Sequence, residues 1–193
     1  MKVYQDITLL PTPEIGQYFL WEKVYQQIHL ALVESQNEEG QVPIGIAFPE
    51  YSSNPPKLGN KLRLFAPDEK TLETLAARQW LSRLLDYVHI TGIRSVPEQT
   101  KGQVIYKRLQ PKSNPERLAR RKAKRENISL ENALIALKEV KPERVKTPFV
   151  HINSQSSQRR FRLFIDKERV SQSQHGLFST YGLSYQEATL PEF

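Results

Sequence analysis

A chain of 193 residues with 38% hydrophobic content is long enough to bury a core, as one average domain or two small ones. It contains no cysteine, which excludes disulfides, zinc–cysteine sites and thiol catalysis. The net charge is +7, the first residues lack the apolar run of a signal peptide, and no stretch approaches membrane-spanning length; the expectation is a soluble, cytoplasmic protein with no membrane partner.

Lys2 to Leu10 reads as a strand with Val3, Ile7 and Leu9 on one face, closed by prolines at 11 and 13. From Gln17 to Ser35, Trp21, Val24, Tyr25, Ile28 and Leu32 fall at helical spacing. Two short strands follow, Ile44 to Phe48 and Lys61 to Phe65. Asp68 then offers a cap for a helix carrying Leu72, Leu75, Leu81, Leu84 and Leu85 as far as Asp86. Val88 to Val96 supplies a fourth strand, with Gly92 as a break point. The order β-α-β-β-α-β predicts an α+β protein with a ferredoxin-like, RRM-like N-terminal domain over residues 1–97.

Pro97 to Gly102 is the expected linker, and 98–193 the expected second domain, also α+β. Gln103 to Gln110 reads as a strand that feeds a cationic helix over 114–126. Asn114 suits the N-cap, Pro115 the first helical position, and Glu116 the first turn. Between Lys101 and Arg125 stand ten Lys or Arg against one acid, a local charge of +9 inside a chain of +7. Arg117, Arg120, Arg121, Lys124 and Arg125 recur at i, i+3, i+4, i+7 and i+8, so they share a face. A focused cationic stripe with little apolar anchorage is the footprint of nucleic acid; the plain alternative is a solvated surface helix. A second helix from Ser129, with Leu130, Ala133, Leu134 and Leu137 on one buried face, two strands over 149–155 and 159–166, and a Gly/Ser/Tyr element over 176–184 complete the pattern.

The chemistry-bearing residues are sparse. The four histidines, 29, 89, 151 and 175, include no i,i+4 pair, and no two carboxylates stand at convincing ligand spacing, so no metal or other cofactor is expected. RNA permits cleavage without one, because its 2′-hydroxyl attacks the adjacent phosphate once a base and positioning are supplied. His29, on the first helix beside its apolar stripe, is the best single base; an ordinary half-buried helix histidine is the competing reading. His89 reads as a core strand residue and His175 as an exposed one. Arg108 and Gln110, two apart on a strand, suit the edges of guanine and adenine, or are merely exposed strand positions.

Several motifs in the same order then converge: Lys112-Ser-Asn-Pro-Glu-Arg-Leu118 with its basic run, Pro148-Phe-Val150, Ser154-Gln-Ser156, Phe161-Arg-Leu-Phe-Ile165 and Tyr181-Gly-Leu-Ser184, with Ile28-His-Leu-Ala-Leu32 and Phe48-Pro49 before them. Together they resemble the Csy-type CRISPR repeat endoribonuclease of subtype I-F, from the first strand to the tail. The resemblance implies a ferredoxin-like domain joined to a domain with an arginine-rich helix. It implies a metal-independent enzyme that binds the stem-loop of CRISPR repeats in precursor crRNA and cuts at the 3′ base of the stem. The ends left would be a 5′-hydroxyl and a 2′,3′-cyclic phosphate. It also implies retention on the mature crRNA with the other subunits of the type I-F surveillance complex, as a monomer with its RNA.

By position, the resemblance makes His29 the base, Ser154 the residue holding the reacting nucleotide, and Tyr181 the one orienting the histidine. Arg108 and Gln110 would read the lowest stem pairs, Phe161 would stack beneath the stem, and Ser156 would contact the backbone. Arg117, Arg120, Arg121, Lys124 and Arg125 would line the groove. Lys122 and Lys124 depart from the arginine-dominated helix that the resemblance implies, and Glu126 places an acid at its end. A non-catalytic RNA hairpin-binding subunit is the alternative reading, separated from the enzyme by the joint presence of His29, Ser154 and Tyr181.

Overall fold

In the computed structural model, residues 1–111, 115–137, 145–154 and 159–193 are described. The first strand, β1 (Val3–Leu9), leads into α1 (Gln17–Glu34), and the short strands β2 (Gln41–Val42), β3 (Gly45–Ala47), β4 (Ser52–Ser53) and β5 (Pro56–Lys57) follow before β6 (Lys61–Ala66). The helical segments α2 (Glu69–Leu75) and α3 (Ala77–Trp80) come next, then β7 (Val88–Ile90), β8 (Arg94–Ser95) and β9 (Gly102–Leu109). After α4 (Pro115–Glu126) and α5 (Leu130–Leu137), the chain ends with β10 (Phe149–Asn153), β11 (Arg160–Val170), β12 (Phe178–Ser179) and β13 (Leu190–Glu192).

The first sheet runs β3-β6-β1-β7, with β8 also on β1, and its pairs are antiparallel. Register explains which side chains meet. Pairing Asp6 with Arg63 and Ile7 with Leu62 puts Tyr4, Asp6, Arg63 and Phe65 on one face and Ile7, Leu62 and Leu64 on the other. On the first of these faces Arg63 makes a two-pronged bond to Asp6, at 2.7 and 3.0 Å, and lies between the rings of Tyr4 and Phe193. A buried guanidinium is tolerated there because it is both paired and flanked by aromatic faces.

The second sheet runs β10-β11-β9-β13 and joins residues from both sides of the Pro97–Gly102 segment to one core. Tyr106 of β9 donates its hydroxyl to the Phe48 carbonyl at 2.9 Å, and β12 pairs with β2. Residues 1–109 and 147–193 therefore form one compact unit and 110–146 a second, so packing does not divide the chain at 97/98. In the second unit α4 and α5 pack against each other around the fully buried Ala119 and Ala133. Asn127, at φ 51°, ends α4, and the Ile128 N–H closes back on the Ala123 carbonyl at 3.2 Å. Ser129 then caps α5 by accepting the Asn132 N–H at 3.1 Å.

Several expectations change. The single helix over 68–86 is broken at Ala76, which takes a left-handed φ of 49°; Asp68 does cap its first part through the Thr71 N–H at 2.9 Å. The fourth strand divides into β7 and β8 around Gly92. His89 is exposed, because β7 is a three-residue edge strand and alternation turns it away from Val88. Leu130 is 44% exposed rather than on the buried face of α5. Gln110 falls one residue beyond β9, and β10 ends at Asn153. Asn114 and Gln155 lie outside the described residues, as does the side chain of Leu137. No helix among the described residues is long and apolar enough to cross a membrane.

Candidate active site and nucleic-acid interface

Helix α1 buries Trp21, Val24, Tyr25, Ile28 and Leu32, the stripe read from the sequence. Beside that stripe, Glu22, Gln26 and His29 stand at i, i+4 and i+7, so they form a row along one side of the helix. Each reaches a different piece of backbone or side chain. Glu22, itself buried, accepts from Arg160 at the start of β11. Gln26 clamps Asn153 at the end of β10 twice: its Oε1 accepts the Asn153 N–H at 2.9 Å and its Nε2 donates to the Asn153 carbonyl at 3.3 Å. His29 meets the turn after β12, where its Nδ1 lies 2.8 Å from the Thr180 carbonyl.

That last contact fixes the state of the imidazole. A carbonyl only accepts, so Nδ1 carries the proton and, in the neutral ring, Nε2 carries the lone pair. Among the described residues no hydrogen bond engages Nε2. Burial pushes the His29 pKa below its ordinary 6.5, opposed by the bond to Thr180, so the neutral form prevails at pH 7. The ring lies flat on Tyr181, with centroids 4.3 Å apart and planes within 12°. Phe161 of β11 meets Tyr181 edge to face at 6.4 Å. The Arg108 guanidinium stands 5.2 Å from the Phe161 ring centre and 5.5 Å from that of Tyr181. A cation, two aromatic rings and an imidazole thus form one continuous cluster, in which the imidazole and Tyr181 are stacked and Phe161 meets Tyr181 edge to face.

Sequence reasoning named the four members of this cluster: His29, Tyr181, Phe161 and Arg108. Ser154 directly follows the Asn153 held by Gln26, and its N–H donates to the Arg159 carbonyl at 3.0 Å. Ser156 lies outside the described residues. The sequence did not single out Thr180, whose contribution is a backbone carbonyl, nor Gln26, whose partner is 127 residues away. The adjacency of Thr180 to Tyr181 and the helical spacing of Gln26 to His29 were the available signals.

The basic helix α4 belongs to the second unit. Arg120, Arg121, Lys124 and Arg125 are exposed on it, and the side chain of Arg117 lies outside the described residues. Glu126 accepts from Arg125 at 2.8 Å and from Lys122 at 2.7 Å, and these two bonds hold its carboxyl below the usual range. The acid at the helix end is thus occupied with Lys122 and Arg125, while Arg120, Arg121 and Lys124 have no ion pair among the described residues. Gln110, exposed, begins the same unit.

Comparison with known proteins identifies the family of the chain. The family model described as a CRISPR-associated protein (Cas_Csy4) matches residues 4–193. A CRISPR-associated endonuclease Cas6/Csy4 of Escherichia coli (strain UTI89 / UPEC) is 36% identical over 194 residues, spanning 100% of both chains. Its counterpart in Pseudomonas aeruginosa (strain UCBPP-PA14) is 36% identical over 185 residues, 95% of this chain and 96% of that one. A solved structure titled "An RAMP protein binding different RNA substrates" shares 12% identity at a TM-score of 0.37 over 99% of each chain. Another, "CRISPR associated protein Cas6", shares 12% at 0.29 over 88% of each. The class is that of the CRISPR-associated endoribonucleases. Within it, the chain belongs to the Cas_Csy4 family.

Proposed function

We propose that this chain processes precursor crRNA, binding the stem-loop of each CRISPR repeat and cutting at the 3′ base of the stem without a metal ion. The observation that carries the reading is the His29 imidazole, whose Nδ1 is spent on the Thr180 carbonyl so that Nε2 keeps its lone pair. In this reading Nε2 takes the proton of the 2′-hydroxyl, and the 2′-oxygen attacks the adjacent phosphorus. The bond to the 5′-oxygen breaks and that oxygen takes up a proton, leaving a 2′,3′-cyclic phosphate and a 5′-hydroxyl. Ser154 holds the reacting nucleotide, Ser156 contacts the backbone, and Tyr181 keeps the imidazole in plane by stacking.

The aromatic cluster supports a recognition role as well. Phe161 gives a flat surface for the last base pair of a stem, and Arg108, positioned over that ring, reads a guanine edge while Gln110 reads an adenine. Arg117, Arg120, Arg121, Lys124 and Arg125 bind the groove and its phosphates, which supplies affinity rather than sequence choice. The first sheet, with its second–third–first–fourth strand order, we read as a ferredoxin-like scaffold, and residues 98–193 as the RNA-binding half of the chain. The product stays bound and enters the type I-F surveillance complex as one protein copy per crRNA, in the cytoplasm.

The test is single-turnover incubation of a repeat-derived hairpin in EDTA, beside the same hairpin with one 2′-deoxy substitution at the cut. Cleavage of the first to cyclic-phosphate ends, with binding but no cleavage of the second, is the expected result. Cleavage of the 2′-deoxy RNA, or a requirement for a divalent ion, overturns the mechanism.

A further inference from the structure

The turn that presents Thr180 and Tyr181 is held by three consecutive carbonyls, each taken by a different donor. The Thr180 carbonyl accepts from His29 at 2.8 Å, that of Tyr181 from the Tyr25 hydroxyl at 2.8 Å, and that of Gly182 from the Ile46 N–H at 2.7 Å. The turn closes on itself through the Gly182 N–H to the Ser179 carbonyl at 2.7 Å and the Ser179 N–H to the Leu183 carbonyl at 2.9 Å. Gly182 has φ +67°, and a Cβ there would lie 2.3 Å from a carbon of Ile46, so the turn has no room to slide toward β3. Of the three anchors, the Gly182 bond is backbone alone and the Thr180 bond is part of the site. Tyr25 is the remaining side chain.

Tyr25 is completely buried and stacks on Phe48 with ring centroids 6.2 Å apart. A phenylalanine would fill that space equally well. Burying a hydroxyl in an apolar core is unfavourable unless it is bonded, and this one spends its only donor on the Tyr181 carbonyl. Tyr25 also sits one helical turn before His29, on the same rigid element. A single turn of α1 therefore sets both the imidazole and the backbone that the imidazole must meet.

We propose that Tyr25 is a positioning residue for the reaction, acting through the Tyr181 carbonyl to hold the Thr180 carbonyl and the Tyr181 ring in register with His29. This rests on the reading of His29 as the base. Without the hydroxyl, the 179–183 turn loses its side-chain anchor, the bond from Nδ1 loosens, and the proton redistributes between the two ring nitrogens. The fraction of imidazole with a free lone pair on Nε2 falls, while groups that bind the hairpin are untouched.

The experiment compares Tyr25→Phe with Tyr106→Phe in the full chain. Tyr106 is a matched control, since it also donates a buried hydroxyl to a carbonyl, that of Phe48, and has no bond to residues 179–183 through its side chain. Two quantities are read: the His29 tautomer, from nitrogen-15 spectra of the histidine-labelled protein, and single-turnover cleavage beside hairpin affinity. Tyr25→Phe is expected to mix the tautomers and slow cleavage at least about fivefold with affinity within about twofold, while Tyr106→Phe moves neither. A Tyr25→Phe protein with the wild-type tautomer and rate overturns the proposal, and so does an equal loss in Tyr106→Phe. Because the tautomer is read without RNA, a wild-type protein that fails to cut would defeat the cleavage reading while the role of Tyr25 is still decided.

Discussion

His29 turns an ordinary helix position into a candidate base through two local facts, a carbonyl on one ring nitrogen and a flat aromatic neighbour on the ring face. Burial lowers its pKa, so the proton is shed below the ordinary 6.5. The cleavage rate is accordingly expected to rise with pH through a midpoint under 6.5 and stay level across neutrality, with Tyr25, Tyr181 and Arg108 as the neighbouring groups to hold constant. A midpoint above 6.5 in the single-turnover profile would contradict this. The stability sign is the same. The unfolded chain takes up its proton near 6.5 and the folded one resists it, so the His29 contribution is full above 6.5 and is lost as pH falls toward the folded value. At this scale the sequence displayed His29, Tyr181, Phe161 and Arg108 as residue types, and the resemblance gave them order. Thr180 was invisible because its part is a main-chain oxygen, and no side-chain pattern encodes which carbonyl a turn will aim.

Helix α1 is the element on which the site is assembled, through the row Glu22, Gln26 and His29. Gln26→Ala removes both bonds to Asn153, and a destabilisation of about 1–2 kcal/mol is expected from denaturant unfolding, with cleavage slowed more than binding because Ser154 follows directly. The helix itself was legible from its 3.6-residue period, and so was the alternation of β1. The break at Ala76 was not, because alanine is the best helix former and nothing local announces a left-handed residue there. Ala76→Gly relieves that conformation and is expected to stabilise the chain by up to about 1 kcal/mol in the same assay, despite the flexibility glycine adds to the unfolded state. On α4, the exposed Arg121 is a phosphate ligand in the proposed interface. Arg121→Ala should weaken hairpin binding at low salt and reduce the salt slope by about 1, and an unchanged slope would remove it from the contact set.

At the scale of the molecule, the sequence suggested a seam at 97/98, yet residues from both sides of it share one core, and the separate compact unit is the α4–α5 pair. The reason is topological: β9 opens a second sheet whose other strands come from the last third of the chain, and β13, short and preceded by an irregular stretch, carries no alternation long enough to be read. The candidate site inherits this arrangement, since His29 comes from the first thirty residues and Tyr181 from the last fifteen. The measurement that bears most directly on the assignment is His29→Ala in the full chain, with hairpin affinity and single-turnover cleavage determined on the same RNA. Cleavage should fall by more than about a hundredfold, the low end of what a positioned base contributes, with affinity within about threefold. Cutting near the wild-type rate would show that another group takes the proton, and a collapse of binding alongside cleavage would make His29 a structural residue rather than the base.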